Sequence, residues 1–465
     1  MLQSLRTFIR THWIALLIAL IINLLVLTNA MLQHPKIGYD TTAHITYMQV
    51  LPYRLPTPAD TTEYFSAPLG YFLPSLYDKV CVAVGWSNCR GHDGRAAQII
   101  NVFLSIGITI LFWKISDLLK PGNEVFRISL LAMLGILTVY YKTFSQARSE
   151  PYVAFFTCLI IWMILKILKN LEKITWKIGV ELGVVLGLLI LSRQWGIFLL
   201  PALVVIAGLV LIKDHSIGWR LTKIFALSGL VAFLVGGWFY LHLYFDYGSF
   251  GAFNMESKGF SFANEPASFY TGLGWWPKHA IIHAPIRPNF DNQFFPIFYS
   301  DTWGDYWGFF SFVNPNEVNL QVNRDIMGPY LGRVNIVSIF PTIFLIGGLV
   351  LGAVSLVKVL RKKNLEPEHL FRAFLFCGIL FSMLGYFWFL ISYPNLETGV
   401  TNKPTYMIQA FMLLLVLAAD LLERLNAYKP LLFRISMLIL AFIFVHNLPA
   451  LISHFNPLTN LLVWK

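Results

Sequence analysis

Apolar residues fall in long runs along this chain, and the runs are separated by polar segments rather than broken by strict alternation. Runs of about 20 residues match the roughly 30 Å hydrocarbon core of a bilayer at a rise of about 1.5 Å per helical residue. They predict spans near 13–31, 96–114, 125–141, 151–168, 178–192, 196–212, 223–244, 336–357, 373–392, 406–422 and 431–447. The expected fold is an all-α polytopic membrane protein of about eleven transmembrane helices. A membrane β-barrel would show alternating pieces of roughly ten residues, and none is visible. No small-x-small site follows the first run, Trp13 to Leu27, so it reads as a retained helix rather than a cleaved signal.

The polar segments are unequal. With the N-terminus placed in the cytoplasm, the inner loops are short and two outer segments are long, 32–95 and 245–335. This gives three regions: an N-terminal membrane module, 1–244, carrying the first outer loop; an outer loop, 245–335, dense in Trp, Tyr, Phe, Gly and Pro; and C-terminal helices, 336–465. Within the first loop, "PLGYFLPSLYDKVCVAVGW" is apolar but interrupted by Pro74, Asp78 and Lys79. That pattern predicts interfacial helices rather than a span.

Composition agrees with the class. Of 465 residues, 57% are hydrophobic and only 13% charged, against about 25% charged in a soluble domain. The net charge of +11 follows the topology. About 20 of the 35 lysines and arginines, Arg6, Arg10, Lys120, Arg127, Arg372 and Arg424 among them, fall in inner segments. A basic rim facing anionic lipid accounts for the charge without nucleic acid. No Walker loop, Gly-x-Gly-x-x-Gly, Cys-x-x-Cys or His-rich cluster occurs, so nucleotide binding has no support. Cys81 and Cys89 either close a small outer disulfide or stay free thiols, and Cys158 and Cys377 read as packing residues within spans. The short inner loops favour a bacterial inner membrane, with the working face toward the periplasm.

Candidate chemistry gathers on the outer side. In "IGYDTTAHITYMQVL", a helix over 40–50 would put Asp40 and His44 on one face with Tyr47 beside them. Asp40 could equally serve as a plain N-cap. "YYKTFSQARSEPYV" carries Lys142, Arg148 and Glu150 in a short loop, and "LLILSRQWGIFLLP" puts Arg193 between two runs. Arg193 either snorkels to headgroups or binds an anion. Lys403 and Tyr406 open a later helix in "NKPTYMIQAFMLLL", a helix start with a lysine that suits a phosphate. In "FYSDTWGDYWGFFSF", Asp301 and Asp305 alternate with Trp303, a pattern suited to sugar binding or to an interfacial belt. A carboxylate base near several cations is what sugar transfer from a lipid phosphate needs.

The chain resembles the GT-C superfamily of polyprenyl-phosphate-sugar glycosyltransferases, in the branch of the protein mannosyltransferase-like and aminoarabinose transferase-like proteins. The resemblance rests on "YDTTAHITYMQVL", where the family has an acidic motif in its first outer loop, and on "YFSAPLGYFLPSLY", similar to the family's Pro-Pro-Leu segment with Ala67 in place of the first proline. It rests also on "RSEPYVAFFTCLIIW", "LSRQWGIFLLP" and "NKPTYMIQAFMLLL", the last lying where the family often has Arg-Tyr. Order and spacing match over about 1–215 and again near 400–425. The family's Asp-Glu pair is absent, because Thr41 follows Asp40.

The resemblance implies Asp40 as general base, Glu150 as second active-site acid, and Arg148, Arg193 and Lys403 as donor-phosphate ligands. It implies a polyprenyl-phosphate monosaccharide as donor, inversion at the anomeric centre, and a lipid, glycan or protein acceptor. No metal ligand is assigned, and a divalent cation stays open. A transporter of lipid-linked glycan would need ionisable residues within the spans and paired broken helices, and the sequence offers few and none, respectively. A ligase of whole oligosaccharides and a non-catalytic scaffold are the other readings. A scaffold would tolerate the loss of Asp40.

Overall fold

The computed structural model describes residues 2–85, 93–275, 279–312, 324–362, 364–395 and 399–454. Among these there is no strand. The chain begins with α1 (Leu2–Leu32), the short α2 (Thr41–Val50) and α3 (Leu69–Ala83), then α4 (Asp93–Leu119), α5 (Glu124–Gly135) and α6 (Thr138–Ser145). Next come α7 (Glu150–Lys169), α8 (Trp176–Ser192), α9 (Leu200–Lys213), α10 (His215–Ala232) and α11 (Trp238–Tyr247). The outer loop holds α12 (Ala267–Thr271), α13 (Ala280–His283) and α14 (Phe294–Trp303). The chain then continues through α15 (Arg324–Val337), α16 (Ile339–Arg361), α17 (Pro367–Ser392), α18 (Ile408–Tyr428) and α19 (Pro430–Leu451).

Among the described residues, nine helical segments are long and apolar enough to cross a membrane, and the chain is an integral membrane protein. The expected eleven is reached in neither count. The run at 125–141 is not one straight helix: α5 and α6 meet at a 61° bend, and counting that pair as one span makes ten. The eleventh, α8, has 17 residues, roughly 26 Å of helix and short of the roughly 30 Å core. The bend comes from Leu137, whose backbone is extended, and it is braced by the Tyr141 hydroxyl donating to the Gly135 carbonyl at 2.9 Å. Beyond the bend, Lys142, Gln146 and Arg148 are buried. As expected, 69–83 forms a short helix, α3, too short to span.

Small residues let α8 and α10 pack closely. Gly183 and Gly187 on α8 face α10, where an added Cβ at Gly183 would come within 2.7 Å of the Ser228 carbonyl oxygen. Ser228 Oγ in turn donates to the Gly179 carbonyl at 2.8 Å. In lipid, close backbone packing of this kind replaces the hydrophobic drive available in water. Beyond α10 the chain widens into a π-turn, Phe233–Gly237, before α11. The most enclosed spans are those of α18 and α7. Each starts with a proline in its first turn, Pro404 before α18 and Pro151 in α7, a position where the missing N–H costs nothing. The charged residues beside these two starts therefore sit at one mouth of the bundle's centre.

Candidate active site

Asp40 precedes α2 with left-handed backbone angles, φ 54° and ψ 21°, and its side chain makes no capping bond. The plain N-cap reading is thereby set aside. The carboxylate turns away from the helix to Lys403, whose Nζ donates to Oδ2 at 2.6 Å across 363 residues of sequence. Its side chain keeps 42% of its area exposed while dense protein surrounds it, as on the floor of a cleft. Burial raises the cost of its charge, but the charge and hydrogen bond of Lys403, helped by Arg148, outweigh that and hold the carboxyl well below its usual range.

Arg148 lies in the same cleft. It grips Glu150 with both arms, Nε to Oε2 at 2.7 Å and Nη2 to Oε1 at 2.8 Å. Its remaining nitrogen, Nη1, is buried with no hydrogen-bond partner. The guanidinium stands 5.5 Å from the Tyr39 ring centroid and 5.6 Å from that of Tyr406. Lys403 Nζ stands 5.2 and 5.8 Å from the same two rings. Two cations thus share one aromatic frame, with Asp40 at its edge. A buried guanidinium N–H without an acceptor is costly and marks a place for one.

A second layer holds the first. Arg193 Nη1 contacts Glu63 Oε2 at 3.0 Å and the Tyr71 hydroxyl at 3.2 Å, and it bonds Ser66 Oγ. Its Nη1 is therefore held by the loop ahead of α3 and by α3 itself, while its Nε is buried without a hydrogen-bond partner 3.4 Å from Glu150 Oε1. Tyr47 is buried, stacked on Tyr71 at 4.3 Å and donating to the Ser66 carbonyl at 2.8 Å, so it too is a support. His44 shares a 2.9 Å hydrogen bond with Tyr71 through Nδ1, and its Nε2 is buried and unpartnered. Burial pushes its imidazole down to about 4, with Arg193 and Arg148 adding to the push against the pull of Glu63. It is a neutral ring near pH 7.

Three expectations change. Glu150 is fully buried, both its oxygens accept from Arg148 and Oε1 also lies 3.4 Å from Arg193 Nε, so it holds the two arginines and has no open oxygen to offer an acceptor. Asp301 is also fully buried, accepting from the Tyr39 hydroxyl at 2.8 Å and lying 2.6 Å from Lys142 Nζ. Asp305 accepts from the backbone N–H groups of Phe309, Phe310 and Ser311, and Trp303 is enclosed beside them. No ring face in this group is open for a sugar. The 294–311 segment instead fixes Tyr39 from below.

Sequence reasoning missed Glu63 and Tyr39. The first loop up to residue 67 holds three acids, Asp40, Asp60 and Glu63. Asp60 is taken up at the surface by Arg54, which leaves Glu63 as the natural partner for a buried arginine. Tyr39 adjoins Asp40, and its aromatic ring beside an acid was the available signal.

Against this cluster lies an apolar groove of about 540 Å³, lined by residues of α8 to α11, α17 and the 250–253 turn. Phe65 and Trp195 form the shared wall: the Arg193 guanidinium is 5.9 Å from the Phe65 ring, and the Trp195 ring is 4.9 Å from that of Tyr406. Its rim residues Phe233, Phe250 and Trp388 are about half exposed on the apolar exterior, so the groove opens sideways to lipid. Among the described residues no group of three His, Cys, Asp or Glu side chains is placed to hold a metal ion. Cys81 is disulfide-bonded, and its expected partner Cys89 lies outside the described residues.

No family model matches the chain, and no curated protein does. Solved structures are similar in helix path. The archaeal oligosaccharyltransferase AglB from Archaeoglobus fulgidus, in complex with an inhibitory peptide and a dolichol-phosphate, gives a TM-score of 0.48 at 12% identity over 96% of this chain and 57% of that one. The apo oligosaccharyltransferase of the same organism gives 0.45 at 13% over 94% and 54%. ArnT from Cupriavidus metallidurans, bound to undecaprenyl phosphate, gives 0.38 at 13% over 88% and 77%. The chain spans a little over half the length of the two oligosaccharyltransferase chains. With every TM-score below 0.5, the function is read from the site itself.

Proposed function

We propose that the protein moves a monosaccharide from a polyprenyl-phosphate-linked donor to an acceptor hydroxyl at the outer mouth of the bundle. One observation carries the reading: a partly exposed carboxylate and two cations, one with an open hydrogen-bond valence, share a wall with a lipid-facing apolar groove. The polyprenyl tail lies in the groove and its phosphate meets Arg148 and Lys403. Asp40, the one exposed acid among Asp40, Glu63 and Glu150, takes the proton from the acceptor hydroxyl. The acceptor oxygen forms its bond to the anomeric carbon from the face opposite the phosphate. The bond from that carbon to the phosphate oxygen breaks, its electron pair leaves on the phosphate, and the two cations stabilise the developing charge. Displacement in line inverts the anomeric centre.

The test is transfer from labelled polyprenyl-phosphate monosaccharides by purified wild type and Asp40→Asn. Loss of about a hundredfold or more with lipid binding intact is expected of a general base. Unchanged transfer by the variant removes Asp40 from the mechanism. Wild-type transfer only from diphosphate-linked oligosaccharides would make the protein a ligase of whole glycans instead.

A further inference from the structure

We propose that the Asp40–Lys403 ion pair is a resting latch: the donor phosphate takes Lys403 from Asp40, and the carboxylate becomes free to accept a proton only then. The inference rests on the donor reading above and goes beyond it. A single positive charge divided between the base and the leaving group holds each more weakly than it holds one alone, and the structure has it bonded to the base at 2.6 Å.

The geometry makes the exchange short. Arg148 and Lys403 stand over the same two rings, Tyr39 and Tyr406, and Arg148 already presents an unpartnered Nη1. A phosphate seated on that nitrogen arrives beside Lys403 Nζ. An ammonium is a point charge with rotatable donors, so it can turn from one anion to the other without refolding. The pair also differs from a structural salt bridge. It is a single contact, not a bidentate fork, and its carboxylate is on the open side. Asp40 holds left-handed backbone angles with no capping bond in return, a conformational cost that functional sites commonly carry. The other titratable groups facing Asp40 are the neutral His44 from α2, Arg148 ahead of α7, and Glu63 in the first loop. None of them bonds its carboxylate. The latch makes the reaction ordered: a base hidden until the donor is seated does not activate an acceptor or water beforehand.

The experiment is a double-mutant cycle on binding of undecaprenyl phosphate, with undecaprenol as the uncharged control. Asp40→Asn frees Lys403 and is expected to tighten binding of the phosphate about tenfold. In a Lys403→Met background, where the methionine keeps the stem packed between the tyrosines, the same change should alter binding by less than about twofold. Lys403→Gln serves as a second background if the methionine variant does not fold. Equal tightening in both backgrounds would reveal simple charge repulsion and overturn the latch, as would no tightening at all. If wild type binds undecaprenol as well as undecaprenyl phosphate, or binds neither, the donor reading itself fails and the latch falls with it.

Discussion

Asp420 and Asp40 each hold a cation, and the two pairs differ in what is left over. Asp420 lies in α18, some twelve residues beyond its start, roughly 18 Å along the helix axis. It accepts from Arg372 at 2.8 and 3.2 Å and from Arg424 at 3.2 Å, with Lys120 at 3.9 Å. Arg372 Nη2 also donates to Glu368 at 2.8 Å, and its Nη1 meets His369 Nδ1 at 3.5 Å. Among the described residues, no side-chain nitrogen or oxygen of Arg372, Glu368 or Asp420 is buried without a partner. The Asp40 cluster is different: Arg148 Nη1, Arg193 Nε and His44 Nε2 are buried and open, Asp40 is exposed, and an apolar groove adjoins them. A saturated network joins helices, whereas an unsaturated one beside a cavity awaits a ligand.

Each cluster can be broken separately. Asp420→Asn leaves Arg372 with Glu368 as its one remaining carboxylate and should cost about 1.5–3 kcal/mol of stability, read as a lowered thermal midpoint in detergent. Transfer per folded molecule should stay the same. If Asp420→Asn instead abolished transfer without loss of stability, the division between joining and working clusters would be wrong. Asp40→Asn should do the reverse, losing about a hundredfold in transfer, near 2.7 kcal/mol, with little change in thermal midpoint.

The groove gives a smaller and sharper contrast. A side chain at Gly229 would project into open space within it. Gly229→Leu should raise KM for a long-chain polyprenyl donor about tenfold while sparing a short-chain analogue. An equal effect on both chain lengths would point to a bent α10 rather than a filled groove.

The pH profile gives the finest test. Asp40 must be ionised to act, and Lys403 holds its carboxyl well below the usual range against the effect of burial. The free enzyme therefore keeps its base as pH falls, and the acid limb of kcat/KM lies low. Lys403→Met removes the main opposition to burial, so the limb should move upward. The ratio of the rate at about pH 5 to that at about pH 7.5 should fall, on top of any loss in phosphate affinity. A limb that does not move would mean that Lys403 does not govern Asp40.

The helical class, most span positions, α3 as a non-spanning helix and the placing of Asp40, His44, Arg148 and Lys403 near helix ends were all legible in the chain. Apolar runs long enough for a bilayer admit few other structures, and ionisable residues gather where such runs stop. Partner choice was not legible. Nothing local joins Asp40 to Lys403 across 363 residues, or shows that Glu150 is consumed by Arg148 two residues before it. Asp301 and Asp305 look like sugar ligands among their aromatics until packing closes over them. Periodicity follows from the solvent each residue must face, so the sequence determines it alone. Which valences are filled and which stay open depends on side chains converging from distant helices, and only the tertiary structure decides that.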